Sequence, residues 1–118
     1  MSTLRGISIA LLGLFAPIAT YASEPWVEAQ GVEPEWRLDV RGWTLSLAVG
    51  EVYTRVEVGD ASRRDGHERV EGSTPDGREL AFEWWPEACV VGEQHFELSA
   101  RLEIGGRTLA GCAVQHVE

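Results

Sequence analysis

The sequence predicts an all-β domain: a small antiparallel meander barrel of seven or eight short strands, closed or nearly closed. A two-sheet sandwich is the alternative. Three observations carry this. Apolar and polar residues alternate with period two through most of the chain after residue 35. Short Gly-containing turns join the alternating runs so that their apolar faces agree. No helical period follows residue 22, and short connections favour neighbouring antiparallel strands.

Trp36, Leu38 and Val40 alternate with Arg37 and Asp39. A two-residue turn at Arg41-Gly42 would pair Val40 with Trp43, placing Trp43, Leu45, Leu47 and Val49 on the same face. Gly50-Glu51 has Gly first, as a type II′ turn prefers, and pairs Val49 with Val52. Val52, Thr54, Val56 and Val58 continue that face. Residues 59–66 read as a polar loop, and a weak strand covers residues 67–71. Ser73-Thr74-Pro75-Asp76-Gly77 is a turn, because Pro presets φ and Asp-Gly tolerates the reversal. Leu80, Phe82 and Trp84 form the next apolar face. Pro86 ends this strand, since it cannot donate to a ladder. Phe96, Leu98, Ala100, Leu102 and Ile104 make the clearest strand. Gly105-Gly106 turns the chain, and residues 109–114 return. Trp36, Trp43, Phe82, Trp84 and Phe96 are expected to fill a barrel this small.

Ahead of the domain stands a secretory leader. Arg5 supplies the positive start, residues 7–18 are an uncharged and mostly apolar run, and Ala19-Thr20-Tyr21-Ala22 offers small residues before a cut after Ala22. The apolar run is too short for the roughly 20 residues that span a bilayer. Residues 1–22 are therefore read as a cleaved signal peptide and residues 23–118 as one β domain, periplasmic or secreted, with no stable membrane span after cleavage. No cysteine follows the apolar run to carry a lipid.

The only cysteines are Cys89 and Cys112. Export preserves disulfides, and neither cysteine stands in a C-x-x-C motif, so a structural Cys89–Cys112 bond is expected. The Gly105-Gly106 turn sets Cys112 opposite Ser99. If Cys89 continued a regular strand, it would lie two strand spacings, about 10 Å, from Cys112. A disulfide needs Cα atoms about 4.4–6.8 Å apart. Cys89 is thus expected in a loop folded across the end of the sheet.

Cleavage removes Arg5 from 10 basic residues and none of the 19 acidic ones, leaving a net charge of −10. There is no Lys. Such a chain is repelled by nucleic acid and by anionic lipid, and is steered towards basic partners. High net charge also favours a soluble monomer.

Gly31-Val32-Glu33-Pro34-Glu35-Trp36-Arg37-Leu38 resembles the G-N-E-P-F-W-x-hydrophobic start of a family of uncharacterised bacterial envelope proteins. These are lipoproteins or membrane proteins, sometimes joined to META-type domains. Gly106-Arg107-Thr108-Leu109-Ala110-Gly111-Cys112-Ala113 resembles that family's G-x-x-L-x-G-C-A ending, and Cys89 matches its upstream cysteine. The resemblance spans most of the mature chain, but only the ends are specific. Val32 and Glu35 replace the family's Asn and Phe. Val90-Val91-Gly92-Glu93-Gln94 replaces its polar D-x-M-S-G-like stretch. The resemblance implies export, a β fold and a disulfide more than any activity.

Three residues are candidates for binding. Glu33 and Trp36 could line a barrel mouth, but the reading preferred is structural: Pro34 fixes the entry to the first strong strand and Trp36 plugs the bottom of the core. Trp85 points away from the Trp84 face and could anchor a partner or pack beneath the Cys89 segment. His67, His95 and His116 share no metal-binding spacing, so no metal or cofactor is expected. No nucleophile stands beside a base in a known motif, and the glutamates alternate outward as solvated faces do. The sequence thus points to a non-enzymatic binding module of the cell envelope, its partner a basic protein or an envelope component. An inhibitor of a basic hydrolase such as lysozyme is one form of it. A small-ligand carrier is the other reading.

Overall fold

A computed structural model describes residues 26–117; the leader lies outside them. Eight antiparallel strands follow one another in a meander and close into a barrel: β1 Trp26–Val32, β2 Glu35–Arg41, β3 Thr44–Val49, β4 Val52–Arg64, β5 His67–Ser73, β6 Glu79–Val91, β7 Gln94–Ile104 and β8 Arg107–His116. Closure is made by β1 and β8, paired from Trp26↔His116 to Gln30↔Cys112. Pairing β1 with β8 removes the two terminal edges that an open sheet would expose.

The sequence pattern missed β1. Its inward residues are Val27, Ala29 and Gly31, and Ala and Gly give little hydrophobic alternation. They are small for a reason: Trp36 fills the space opposite. A side chain on Gly31 or Gly111 would collide with the Trp36 indole. Trp36 is 1% exposed, and its indole N–H donates to the Ala110 carbonyl at 3.3 Å. Around it, Leu38, Leu45, Leu47, Val56, Phe82 and Leu102 fill the interior. Apolar groups inside and charged groups outside are the reverse of a transmembrane barrel. No helix among the described residues is long and apolar enough to cross a membrane.

Four expectations are corrected. The β2–β3 turn is Gly42-Trp43, with Arg41 opposite Thr44 and Val40 opposite Leu45. Gly42 takes φ 61° there, which glycine adopts without steric cost. Trp43 therefore sits in the turn, 63% exposed, and is not in the core. Shifting the register by two residues leaves every other apolar side chain on its expected face, which is why alternation alone could not detect it.

Residues 59–64 are not a loop. They extend β4 past an irregularity between Val58 and Asp60 and pair with β5 up to Arg64↔His67. The turn is Asp65-Gly66, both at positive φ. Polar composition misled here because residues 59–64 are all exposed and bury no side chain in the core, although they pair with β5.

Pro86 does not end β6. A bulge between Pro86 and Cys89 carries the strand on to Val91, which faces Gln94. Bulges are where a strand tolerates proline. Cys89 is accordingly on a strand and not in a loop. It nevertheless lies 5.5 Å (Cα–Cα) from Cys112, to which it is disulfide-bonded. The flat-sheet estimate failed because a bulge bends its strand. Cys112 and Ala113, adjacent on β8, are both fully buried. Alternating side chains face opposite sides of a strand, so β8 is covered on both faces there. The bent β6–β7 arm supplies the outer cover. Ser99 Oγ donates to the Glu87 carbonyl at 3.1 Å, and Gln30 Nε2 donates to Gln94 Oε1 at 3.1 Å.

Candidate functional site

Apolar side chains fill the interior, and the ion pairs lie on the outer face. Its most organised region lies across β5, β6 and β7. Inward Phe82 and Trp84 stack at 5.2 Å, so Glu83 and Trp85 point outward. Register then decides their neighbours: Arg69 on β5 and Arg101 on β7 flank Glu83 directly. Glu83 forms an ion pair with Arg101, receives His67 Nδ1 at 2.8 Å, and lies 3.8 Å from Arg69. Its side chain is only 13% exposed. Burial pushes its carboxyl up, but the hydrogen bonds from Arg101 and His67 outweigh burial and hold the pKa below the usual glutamate range.

His67 also stacks on Trp85, centroids 4.6 Å apart and planes 5° from parallel. The Arg101 guanidinium lies 5.7 Å from the same indole centroid. Trp85 Nε1 donates to Glu87 at 2.6 Å. Arg69 extends the network to Glu71 at 2.7 Å and Glu103 at 3.7 Å. Two shallow hollows flank it. One, of about 600 Å³, has Asp60, Glu71, Ala81, Glu103 and Thr108 along its walls. The other, of about 520 Å³, lies between Ser62, Arg64, His67 and Glu83.

The same set of groups recurs across β8, β1 and β2. Trp26 stacks on His116 at 4.1 Å, the Arg41 guanidinium lies 3.6 Å from the Trp26 ring centroid, and His116 Nε2 is 3.1 Å from Glu28. In both clusters a tryptophan and a glutamate two residues away share a strand, with the histidine and the arginine on opposite neighbouring strands.

Chemically, Glu83–His67 has the orienting half of a nucleophilic triad. Among the described residues no hydroxyl or thiol is hydrogen-bonded to His67, and Glu83 is already committed to Arg101. The arrangement is an ion-paired patch on the barrel exterior.

Of the candidate residues, Trp85 sits in this cluster. Glu33 is exposed in the β1–β2 turn, and Trp36 is a core plug with no exposed face. The structure does not bring the three together. Sequence reasoning missed Glu83, His67 and Arg101, because their meeting depends on the β5–β6–β7 register. The outward i, i+2 pair Glu83/Trp85 was the one readable signal.

The fold and exterior define a class: a closed, disulfide-bonded, eight-stranded meander barrel whose interior is filled by side chains. Comparison with known protein families, with curated proteins and with solved structures finds no match.

Proposed function

We propose that this chain is an exported binding module of the cell envelope that acts on a basic protein from its outer surface. Its concrete form is an inhibitor of a basic hydrolase such as lysozyme. The observation that carries this reading is where polar chemistry is concentrated. The interior is packed with Trp36, Phe82 and aliphatic side chains, while the acidic excess lies outside. From residue 79 to residue 100 there is no Lys or Arg, and Glu79, Glu87, Glu93 and Glu97 there form no ion pair among the described residues. A rigid surface with a strong field of one sign speeds encounter with a partner of the opposite sign. The Cys89–Cys112 bond, which oxidising compartments preserve, and the leader-like residues 1–22 support export to the periplasm or beyond.

A packed interior also weighs against the small-ligand carrier, which needs an apolar cavity. The test is direct. Purified lysozyme is titrated with the protein at low and at high salt, following cell-wall lysis and binding together. Inhibition with a complex that weakens as salt rises is the expected result. Full lytic activity at saturating protein and low salt would remove the inhibitor reading.

A further inference from the structure

Residues 59–64 of β4 form an open sheet edge. β3 stops pairing with β4 at Thr44↔Glu57, and the last contact on that side is the Val58 N–H donating to the Trp43 carbonyl at 2.8 Å. Beyond it β4 pairs with β5 alone, from Asp60↔Glu71 to Arg64↔His67, and residues 59–64 are all exposed. The two-residue Asp65-Gly66 turn decides which backbone groups are spare. Its flanking residues, Arg64 and His67, exchange both hydrogen bonds, as do Ser62 and Arg69 two residues on. The N–H and C=O groups of Ala61 and Arg63 therefore face the open edge.

We propose that this edge pairs with the same edge of a second copy, antiparallel about a two-fold axis at Ser62. A two-fold axis perpendicular to the sheet keeps every side chain on its own face, so each residue meets one of the same face. Centred on Ser62, the pairing sets Ala61 opposite Arg63 of the second copy, and Arg63 opposite its Ala61. These are the residues with spare backbone groups, and they close four N–H···O=C bonds. The same register sets Asp60 opposite Arg64 of the second copy, twice, on the outer face. Within its own chain Arg63 is paired with Glu68, whereas Asp60 and Arg64 form no ion pair among the described residues. Centring on Ala61 instead would oppose Asp60 to Ser62 and forgo both charge pairs.

Charges on an edge usually prevent such pairing. An edge protected against its own copy would carry like charges at mirrored positions, which repel. Here the mirrored positions carry opposite charges. Trp43 adds a second fit. It stands at the foot of the edge, 63% exposed, where the Asp65-Gly66 turn of the second copy would come to rest. The second copy thus covers an indole that the barrel leaves bare. This pairing replaces the monomer suggested by net charge, whose long-range repulsion is screened beyond about 8 Å at physiological salt.

Sedimentation equilibrium of the purified protein tests it, with concentration raised to about 1 mM, since an edge this small belongs to the weak class of interfaces. The weight-average mass should climb towards twice that of the monomer. Ala61→Pro removes an edge-facing N–H at a site where strands accept proline and should abolish the rise. Asp60→Arg and Arg64→Asp should each weaken association roughly tenfold, and the double charge swap should restore it. Circular dichroism confirms the fold of each variant. A monomer throughout, association unchanged in Ala61→Pro, or a double swap no tighter than its parents would each overturn the pairing.

Discussion

The Trp36 indole occupies the space that a side chain on Gly111 would need, on the far side of β1 from its own strand. Gly111 also lies against the Gln30 backbone carbonyl, so neither neighbour can give way cheaply. A large residue at one end of the chain and a missing side chain at the other are one packing feature, and it sits at the seam where the barrel closes.

Gly111→Ala should therefore cost about 1–3 kcal/mol or more, the usual range for overpacking. Gly59→Ala is the control: its nearest atom would be the Glu71 carbonyl at 3.8 Å, and its change should stay within about 0.5 kcal/mol. Urea denaturation of both variants measures the contrast. Equal losses would mean that the seam is looser than described.

The β2–β3 register makes a second prediction. Trp36→Ala should cost about 3–5 kcal/mol, as for a fully buried aromatic side chain. Trp43→Ala should cost about 0.5 kcal/mol or less, because its side chain stands in water. Thermal unfolding of the pair at dilute concentration distinguishes this register from the one two residues away, in which both indoles would be core.

Removing the Cys89–Cys112 bond should cost about 3 kcal/mol, the chain-entropy value for a loop of this order. The loss should also be local. The bond holds the bent β6–β7 arm over Cys112, so a Cys89→Ser/Cys112→Ser protein should gain protease cleavage within residues 87–97 before the barrel unfolds. Cleavage spread evenly along the chain would show that the arm is held by other contacts.

Glu83 should govern part of the acid stability. Its folded pKa lies below its unfolded value, because Arg101 and His67 stabilise the carboxylate. Its contribution is then fully present above the unfolded glutamate range and is lost as pH falls through the folded value. Glu83→Gln should be less stable than the parent at pH 7, and the gap should narrow steadily as pH falls through the acid range. Urea midpoints across that range provide the measurement. A gap that stays constant would mean that the cluster is held by packing of His67 on Trp85 and not by charge.

Much of the fold was legible because period two is a robust signal. Leu38, Leu47, Phe82 and Leu102 could be assigned inward from alternation, and the Gly50-Glu51 and Gly105-Gly106 turns from glycine's access to positive φ. Ser99 opposite Cys112 followed directly from the second turn. The outer cluster was not legible. Glu83, His67 and Arg101 are 16 and 18 residues apart in pairs along the chain, and each looks like an ordinary solvated residue until two registers align them.

The sequence by itself determined the all-β class, the face of almost every apolar residue and the identity of the cysteine pair, because these depend on side-chain type and a period of two. Tertiary structure decided the rest. It placed Trp43 in a turn, carried β4 and β6 beyond their expected ends, enlisted Val27, Ala29 and Gly31 as the closing strand, and folded the Cys89 arm over β8. The physical reason is common to all four. Alternation reports which face a residue occupies but not how far strands slide, bend or extend past the core, and those depend on turn geometry, bulges and the fit of Trp36 against two glycines.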